Sequence, residues 1–228
     1  MAAPSKREIS AICDSSARVA GEARGVPVDV LRALTRTETG RRIGGNLSPW
    51  PWTVNMEGAG FWFETREEAL DFVMKHHARG ARSFDVGCFQ INYRWHGEAF
   101  ESIAAMFDPA ANAAYAAKFL SDLHGESGKW STAAGHYHSR TPELAKKYRG
   151  RFATILAGLG PAPDPVPLPP APAPQLASLG PRPTFGASAS GLPPEIGSPR
   201  HAANPGGVSL SAFSDGSGLL PQARPLLD

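Results

Sequence analysis

An α+β fold dominated by helix is the class that the first 160 residues predict, and three observations carry it. Two capping boxes, Ser5 with Glu8 and Thr65 with Glu68, each stand in front of apolar residues at helical spacing. Between them lies an aromatic-rich stretch with a glycine-containing turn, the pattern of a small β-hairpin. After Gly160 the composition changes: 16 of the 22 prolines fall in the last 68 residues, where Phe185 and Phe213 are the only aromatics. Residues 1–160 are therefore expected to form the folded part. Residues 161–228 are expected to be a disordered Pro/Gly/Ser/Ala-rich tail, too poor in apolar surface to offset its ordering entropy.

The elements follow in order. After Ser5, the stripe Ile9, Ile12, Cys13, Ala17, Ala20 and Ala23 predicts a first helix that stops at Gly25. Pro27 opens a second, with Val30, Leu31 and Leu34 on its apolar side and Gly40 at its end, which places Glu38 in the last turn. Residues 44–63 carry Trp50, Trp52, Val54, Phe61 and Trp62 around Glu57-Gly58-Ala59-Gly60, and a hairpin fits them. Thr65 and Glu68 precede Ala69, Phe72 and Val73 in a third helix closed by Gly80. Asp108-Pro109 caps a fourth that carries Ala113, Ala116, Ala117 and Leu120 toward a stop near Gly125, and two more helices are expected over about 129–138 and 142–159. The tail opens with PAPDPVPLPPAPAP, an extended polyproline II spacer by composition, and holds apolar islands at 208–213 and 219–227. A passive linker and a partner-docking segment both fit it.

Charge narrows the function classes. The 228 residues hold 23 Lys+Arg against 21 Asp+Glu, a near balance that speaks against nucleic-acid binding through bulk charge. Charges or prolines interrupt every apolar stretch short of the ~18–20 residues a membrane span needs, so a soluble chain is expected. The opening MAAPSKREIS lacks the apolar core of a secretory signal, which leaves a cytoplasmic protein or a sequence that starts after its leader. Cys13 and Cys88 form no metal-type pair; they fit one disulfide in an exported protein and two buried thiols otherwise.

Three clusters carry chemistry. A carboxylate in the last turn of a helix, as at Glu38, faces the negative end of the dipole and gains nothing there by ionising. In an apolar cavity desolvation favours its protonated form further, giving an acid able to donate a proton near neutral pH. A solvated surface glutamate is the bland alternative. The second cluster is Ser83-Phe84-Asp85-Val86-Gly87-Cys88-Phe89-Gln90-Ile91-Asn92. It reads as a polar loop whose glycine permits close backbone approach, with Gln90 and Asn92 offering paired donors and acceptors to sugar hydroxyls and N-acetyl groups; a plain loop-to-helix junction is the other reading. The third is Ala133-Ala134-Gly135-His136-Tyr137-His138-Ser139. Alternation would put His136 and His138 on one side only in a strand, and this segment ends a helix, so no metal site is expected. No cofactor is expected either. Trp50, Trp52 and Trp62 fit sugar stacking and hairpin packing equally.

Taken in order, Leu31-x-x-Leu34-x-x-x-Glu38-Thr39-Gly40, Ser83-x-Asp85-x-Gly87-x-Phe89-Gln90-Ile91-Asn92, Asn112-x-x-Tyr115-x-x-x-Phe119-Leu120, Ala134-Gly135-His136-Tyr137-His138-Ser139 and a late Tyr148 resemble the family 1 lytic transglycosylases. These are soluble-lytic-transglycosylase-like domains of lysozyme-type fold, and the resemblance covers about residues 8–156. It implies that Glu38 is the sole acid/base. It implies that Thr39, Ser83, Gln90, Asn92, Tyr137, His138 and Tyr148 line the glycan groove, with Tyr137 beside the glutamate. Thr39 stands where the family has serine and keeps the hydroxyl. Cys88 and Phe89 replace Leu and Met, which keeps an apolar wall and adds a tie to the first helix through Cys13. His138 replaces asparagine, so substrate contacts there do not carry over in detail. Pro49-Trp50-Pro51-Trp52-Thr53-Val54-Asn55 resembles an insertion of a proteobacterial branch, some of whose members serve flagella, pili or secretion machines.

The implied reaction is non-hydrolytic cleavage of the β-1,4 bond between N-acetylmuramic acid and N-acetylglucosamine in peptidoglycan. That substrate implies a periplasmic location, and the tail would suit recruitment to an envelope-spanning machine. Two rivals stand beside it. A muramidase would use Glu38 with Asp85 as a second carboxylate. A catalytically silent wall-binding adaptor would act through its tail, and an intact Glu38 and Tyr137 count against it.

Overall fold

The structure is a computed structural model, and it describes residues 4–170. The chain is mainly helical with a small antiparallel sheet. α1 (Lys6–Arg24) starts at the expected capping box: Ser5 Oγ accepts from the Glu8 amide, and the Glu8 carboxylate accepts from the Ser5 amide at 2.7 Å. Ile9, Cys13, Ala17 and Ala20 are buried. Ala23, assigned to the same stripe, is exposed, because the last turn before Gly25 overhangs the core.

α2 (Val28–Thr39) has Pro27 as its N-cap residue rather than inside the helix. Every residue from Val30 to Thr39 is buried, although six of the ten are polar or charged. Burial of Leu31 and Leu34 contributes about 1.5–3 kcal/mol each. The polar residues have partners: Thr35, Thr37 and Thr39 donate to backbone carbonyls one turn back, and Asp14 of α1 accepts from both Arg32 and Arg36. That satisfaction is what lets a threonine- and arginine-rich helix occupy the centre of the fold.

The aromatic stretch forms two hairpins where one was expected. β1 (Arg41–Ile43) pairs with β2 (Asn46–Ser48), and β3 (Thr53–Met56) pairs with β4 (Ala59–Trp62) in the register Val54↔Phe61. The second hairpin turns on Glu57 and Gly58 alone, both with positive φ (52° and 96°), as a two-residue turn requires. α3 (Arg66–Ala78) follows with its capping box intact. The stretch read as a polar loop is strand, turn and strand: β5 (Phe84–Val86) and β6 (Ile91–Asn92) complete a four-stranded sheet of order β4-β3-β5-β6. Pairing with β3, some 30 residues away in sequence, makes a strand of a segment too short to show strand periodicity.

α4 (Tyr93–His96), a 3-10 turn at Gly97–Ala99 and α5 (Ile103–Met106) are short pieces with no periodicity long enough to read. α6 (Pro109–Ser127) passes through Gly125 and ends three residues later than expected, at Gly128 with φ 66°. α7 (Trp130–His138) and α8 (Pro142–Ala157) complete the bundle, in which α1 packs on α2 and α6, α7 on α6 and α8, and α8 on α2.

The Pro-rich stretch does not leave the domain at Gly160. Arg32 Nη2 donates to the carbonyls of Gly160 and Pro161 at 3.2 Å, and the Val166 amide donates to Ser15 Oγ at 2.9 Å. Prolines lack donors but keep carbonyls, and the buried guanidinium supplies what those carbonyls need. The segment is thereby laid on α1 and α2 as a strap. Arg32 and Glu38 sit roughly 120° apart around α2, so the strap and Glu38 lie on different faces of that helix. The rest of the expected tail, including 208–213 and 219–227, lies outside the described residues. Among the described residues no helix is long and apolar enough to cross a membrane.

Candidate active site

Glu38 is 3% exposed in the last turn of α2. Its Oε1 accepts a 2.5 Å hydrogen bond from the hydroxyl of Tyr148, a buried residue of α8. Burial, first, and the neighbouring Glu38 raise the Tyr148 pKa well above the ordinary phenol value, so the hydroxyl keeps its proton and remains a donor. Tyr137 of α7 stands close by: burial and then the charge of Glu38 hold its pKa well above normal too. The hydrogen bond of Tyr137, however, goes to the carbonyl of Phe89 at 2.8 Å. The tyrosine bonded to Glu38 is therefore Tyr148, with Tyr137 as its neighbour.

Near enough for the charge of Glu38 to bear on it is a polar row across three strands. Asn55 of β3, Asp85 of β5 and Asn92 of β6 are directly paired in register, and both carboxylate oxygens of Asp85 are taken. Oδ2 accepts from Asn55 Nδ2 at 2.9 Å and Oδ1 from Asn92 Nδ2 at 2.7 Å. Burial raises the pKa of Asp85 to about 7; the two amide bonds act against that rise, and the charge of Glu38 adds to it.

The turn 87–90 joins the sheet to the helices. Gly87 has φ 82°, and a Cβ there would lie 2.7–2.9 Å from the side-chain atoms of Asn112. Asn112, fully buried in α6, accepts from the Phe89 amide and donates to the carbonyls of Val86 and Met106. The Cys13–Cys88 disulfide ties the same turn to α1. Gln90 has φ 48°, an uncommon value for a non-glycine residue. Its Nε2 donates to the carbonyls of Thr53 and Gly87, while Oε1 is buried without a partner.

The other expected residues divide. His138, the last residue of α7, stacks on the ring of Tyr148 with centroids 4.7 Å apart and planes 11° from parallel. Burial, and then Arg151, lower its pKa to about 4. Thr39 is fully buried, donating to Thr35 O and accepting from the Trp50 amide, so its hydroxyl fastens the next loop to α2. Asn92 spends its amide on Asp85 and on the Trp95 amide, where it caps α4. Ser83 lies apart: its carbonyl accepts from Glu57 at the hairpin tip, the end of β5 away from Gly87. Trp50 and Trp52 are buried in the core, whereas half-buried Trp62 donates from Nε1 to the carbonyl of Thr39.

Asn55, Asn112 and Arg151 were not singled out as site residues. Asn55 carries no local signal, since only strand register puts it beside Asp85. Asn112, buried on a run of alanines, was the readable one: a lone amide among small apolar residues must find partners. Among the described residues no group of three or more His, Cys, Asp or Glu is placed to hold a metal ion. The arrangement comprises one enclosed carboxyl group with a phenol donor, a second carboxyl group held by two amides within reach of the first one's charge, and two protonated tyrosines, all suited to proton transfer. No family model, curated protein or solved structure matches this chain.

Proposed function

We propose that the chain is a lysozyme-like peptidoglycan lytic transglycosylase with Glu38 as its acid and base. The observation that carries the reading is the enclosure of Glu38, 3% exposed and bonded to Tyr148 at the dipole-negative end of α2. Glu38 gives its proton to the glycosidic oxygen as the C1–O4 bond of the muramoyl residue breaks and positive charge builds at C1. As a carboxylate it then takes the proton of the muramoyl C6 hydroxyl, whose oxygen bonds to C1 and closes a 1,6-anhydro ring. Tyr148 supports the carboxylate form through its hydrogen bond and holds it in one orientation between the two steps. The substrate supplies the nucleophile, so no second carboxylate is needed.

Asp85 favours a second reading. A muramidase would hold Asp85 ionised across the sugar from a protonated Glu38 and use water as the attacking group. With its pKa raised to about 7, Asp85 is largely protonated below neutral pH, which weighs for the single-carboxylate route there. The reading places the protein beyond the inner membrane, where the Cys13–Cys88 bond suits an oxidising environment and the tail would serve recruitment to an envelope machine. The experiment is product analysis: purified peptidoglycan digested by the protein and resolved by mass spectrometry yields 1,6-anhydromuramoyl ends. Reducing ends alone would replace the transglycosylase by the hydrolase, and undigested peptidoglycan would remove both.

A further inference from the structure

We infer that His138 is a positioning residue, whose flat face holds the phenol of Tyr148 on Glu38, rather than a residue whose ring nitrogens grip the substrate. The inference rests on the transglycosylase reading and deepens it, because His138 stands where the resembling family carries an asparagine. Three observations support it. The imidazole and phenol planes lie 11° from parallel at 4.7 Å, the offset-stacked geometry that aromatic pairs favour. The phenol so covered is the one whose hydroxyl reaches Glu38 Oε1. The stack also joins the C-terminus of α7 to the second turn of α8, so it bears on the helix that brings Tyr148 to α2 from 110 residues away. Burial and the Arg151 cation of α8 keep the imidazole neutral down to acidic pH, so the stacked ring is not a competing cation for the Glu38 carboxylate. The other titratable groups acting on the pair are Glu38 of α2 and Tyr137 of α7.

Three variants separate the face of the ring from its edge. His138→Phe keeps the face and deletes both nitrogens; His138→Asn keeps a polar edge and deletes the face; His138→Ala deletes both. On purified peptidoglycan, kcat is expected to fall roughly ten- to hundredfold in the Asn and Ala variants with KM little changed, the scale of a misplaced catalytic group. His138→Phe is expected to restore kcat to within about threefold of the parent, the remainder reflecting imperfect placement. A raised KM in His138→Phe with activity retained in His138→Asn would overturn the inference, as would full activity in all three. Tyrosine 13Cζ NMR supplies a readout that needs no turnover, with Tyr148→Phe assigning the signal among the four tyrosines. The Tyr148 signal is expected to shift in the Asn and Ala variants and to stay near the parent position in Phe; an unmoved signal in Ala would overturn the inference. A parent protein that leaves peptidoglycan intact would count against the transglycosylase reading alone, while the NMR series would still decide whether the stack positions Tyr148.

Discussion

Tyr148, in the second turn of α8, donates its hydroxyl hydrogen to Oε1 of Glu38, in the last turn of α2, so two helices 110 residues apart in sequence at this contact meet at one buried carboxyl group. Removing the hydroxyl in Tyr148→Phe leaves that oxygen enclosed with one donor fewer. The variant is expected to lose about 1–3 kcal/mol in urea unfolding. If Glu38 is the acid and base as proposed, kcat on peptidoglycan is expected to fall by about tenfold or more, because the carboxyl group loses the donor that orients it. Unchanged stability and turnover would mean that the bond is incidental.

Asp85 makes the fold pH-dependent in an identifiable window. Its folded pKa is raised from 3.8 to about 7, so between those values the folded chain keeps a proton that the unfolded chain has lost. The stability this contributes is present below about pH 4 and is lost as pH rises through 7. Asp85→Asn removes that titration. Relative to the parent, the variant is expected to gain on the order of 2–4 kcal/mol between pH 4.5 and pH 8 in urea unfolding. Parallel parent and variant curves across that range would exclude a perturbed Asp85.

The Cys13–Cys88 bond closes a loop with a sequence separation of 75. Opening it by Cys13→Ser with Cys88→Ser is expected to cost about 4 kcal/mol, chiefly by freeing the unfolded chain. Chemical denaturation of the double variant against the oxidised parent measures it. The turn 87–90, still held by Asn112 and Tyr137, is expected to keep part of the activity.

Gly87→Ala tests that turn from within. The new methyl group meets Asn112, which is locked by three hydrogen bonds and cannot swing aside, and the backbone at φ 82° is strained for alanine. A loss of roughly 3 kcal/mol is expected in thermal or urea unfolding. A loss below about 0.5 kcal/mol, the size of an ordinary surface substitution, would show that the turn relaxes freely.

The helices were legible because their signals are local. Ser5 with Glu8 and Thr65 with Glu68 mark two starts to the residue, and Glu38 was placed in its last turn by the stop at Gly40 alone. The sheet was half legible. The hairpin of β3 and β4 announces itself through aromatics and a turn, but β5 and β6 are three and two residues long and exist through partners far along the chain. For that reason Asp85 was assigned to a loop, and its cross-strand partner Asn55 was missed. The site followed the same rule. Glu38, Gln90 and Tyr137 came from ordered motifs, whereas the identity of the tyrosine on Glu38 depends on how α8 packs against α2, which no window of sequence contains. Thr39 and Asn92 carry side chains suited to sugars, yet the fold uses them to fasten its own backbone. The strap ran against composition: proline content argued for a free spacer, and one buried arginine with two donors to spare was enough to hold its start.

The most direct test of the account is digestion of purified peptidoglycan by Glu38→Gln, followed by turbidity and sedimentation. The account predicts that clearing is abolished while the variant still cosediments with the polymer, because the amide cannot donate and then accept the proton. Clearing by Glu38→Gln at the parent rate would contradict it.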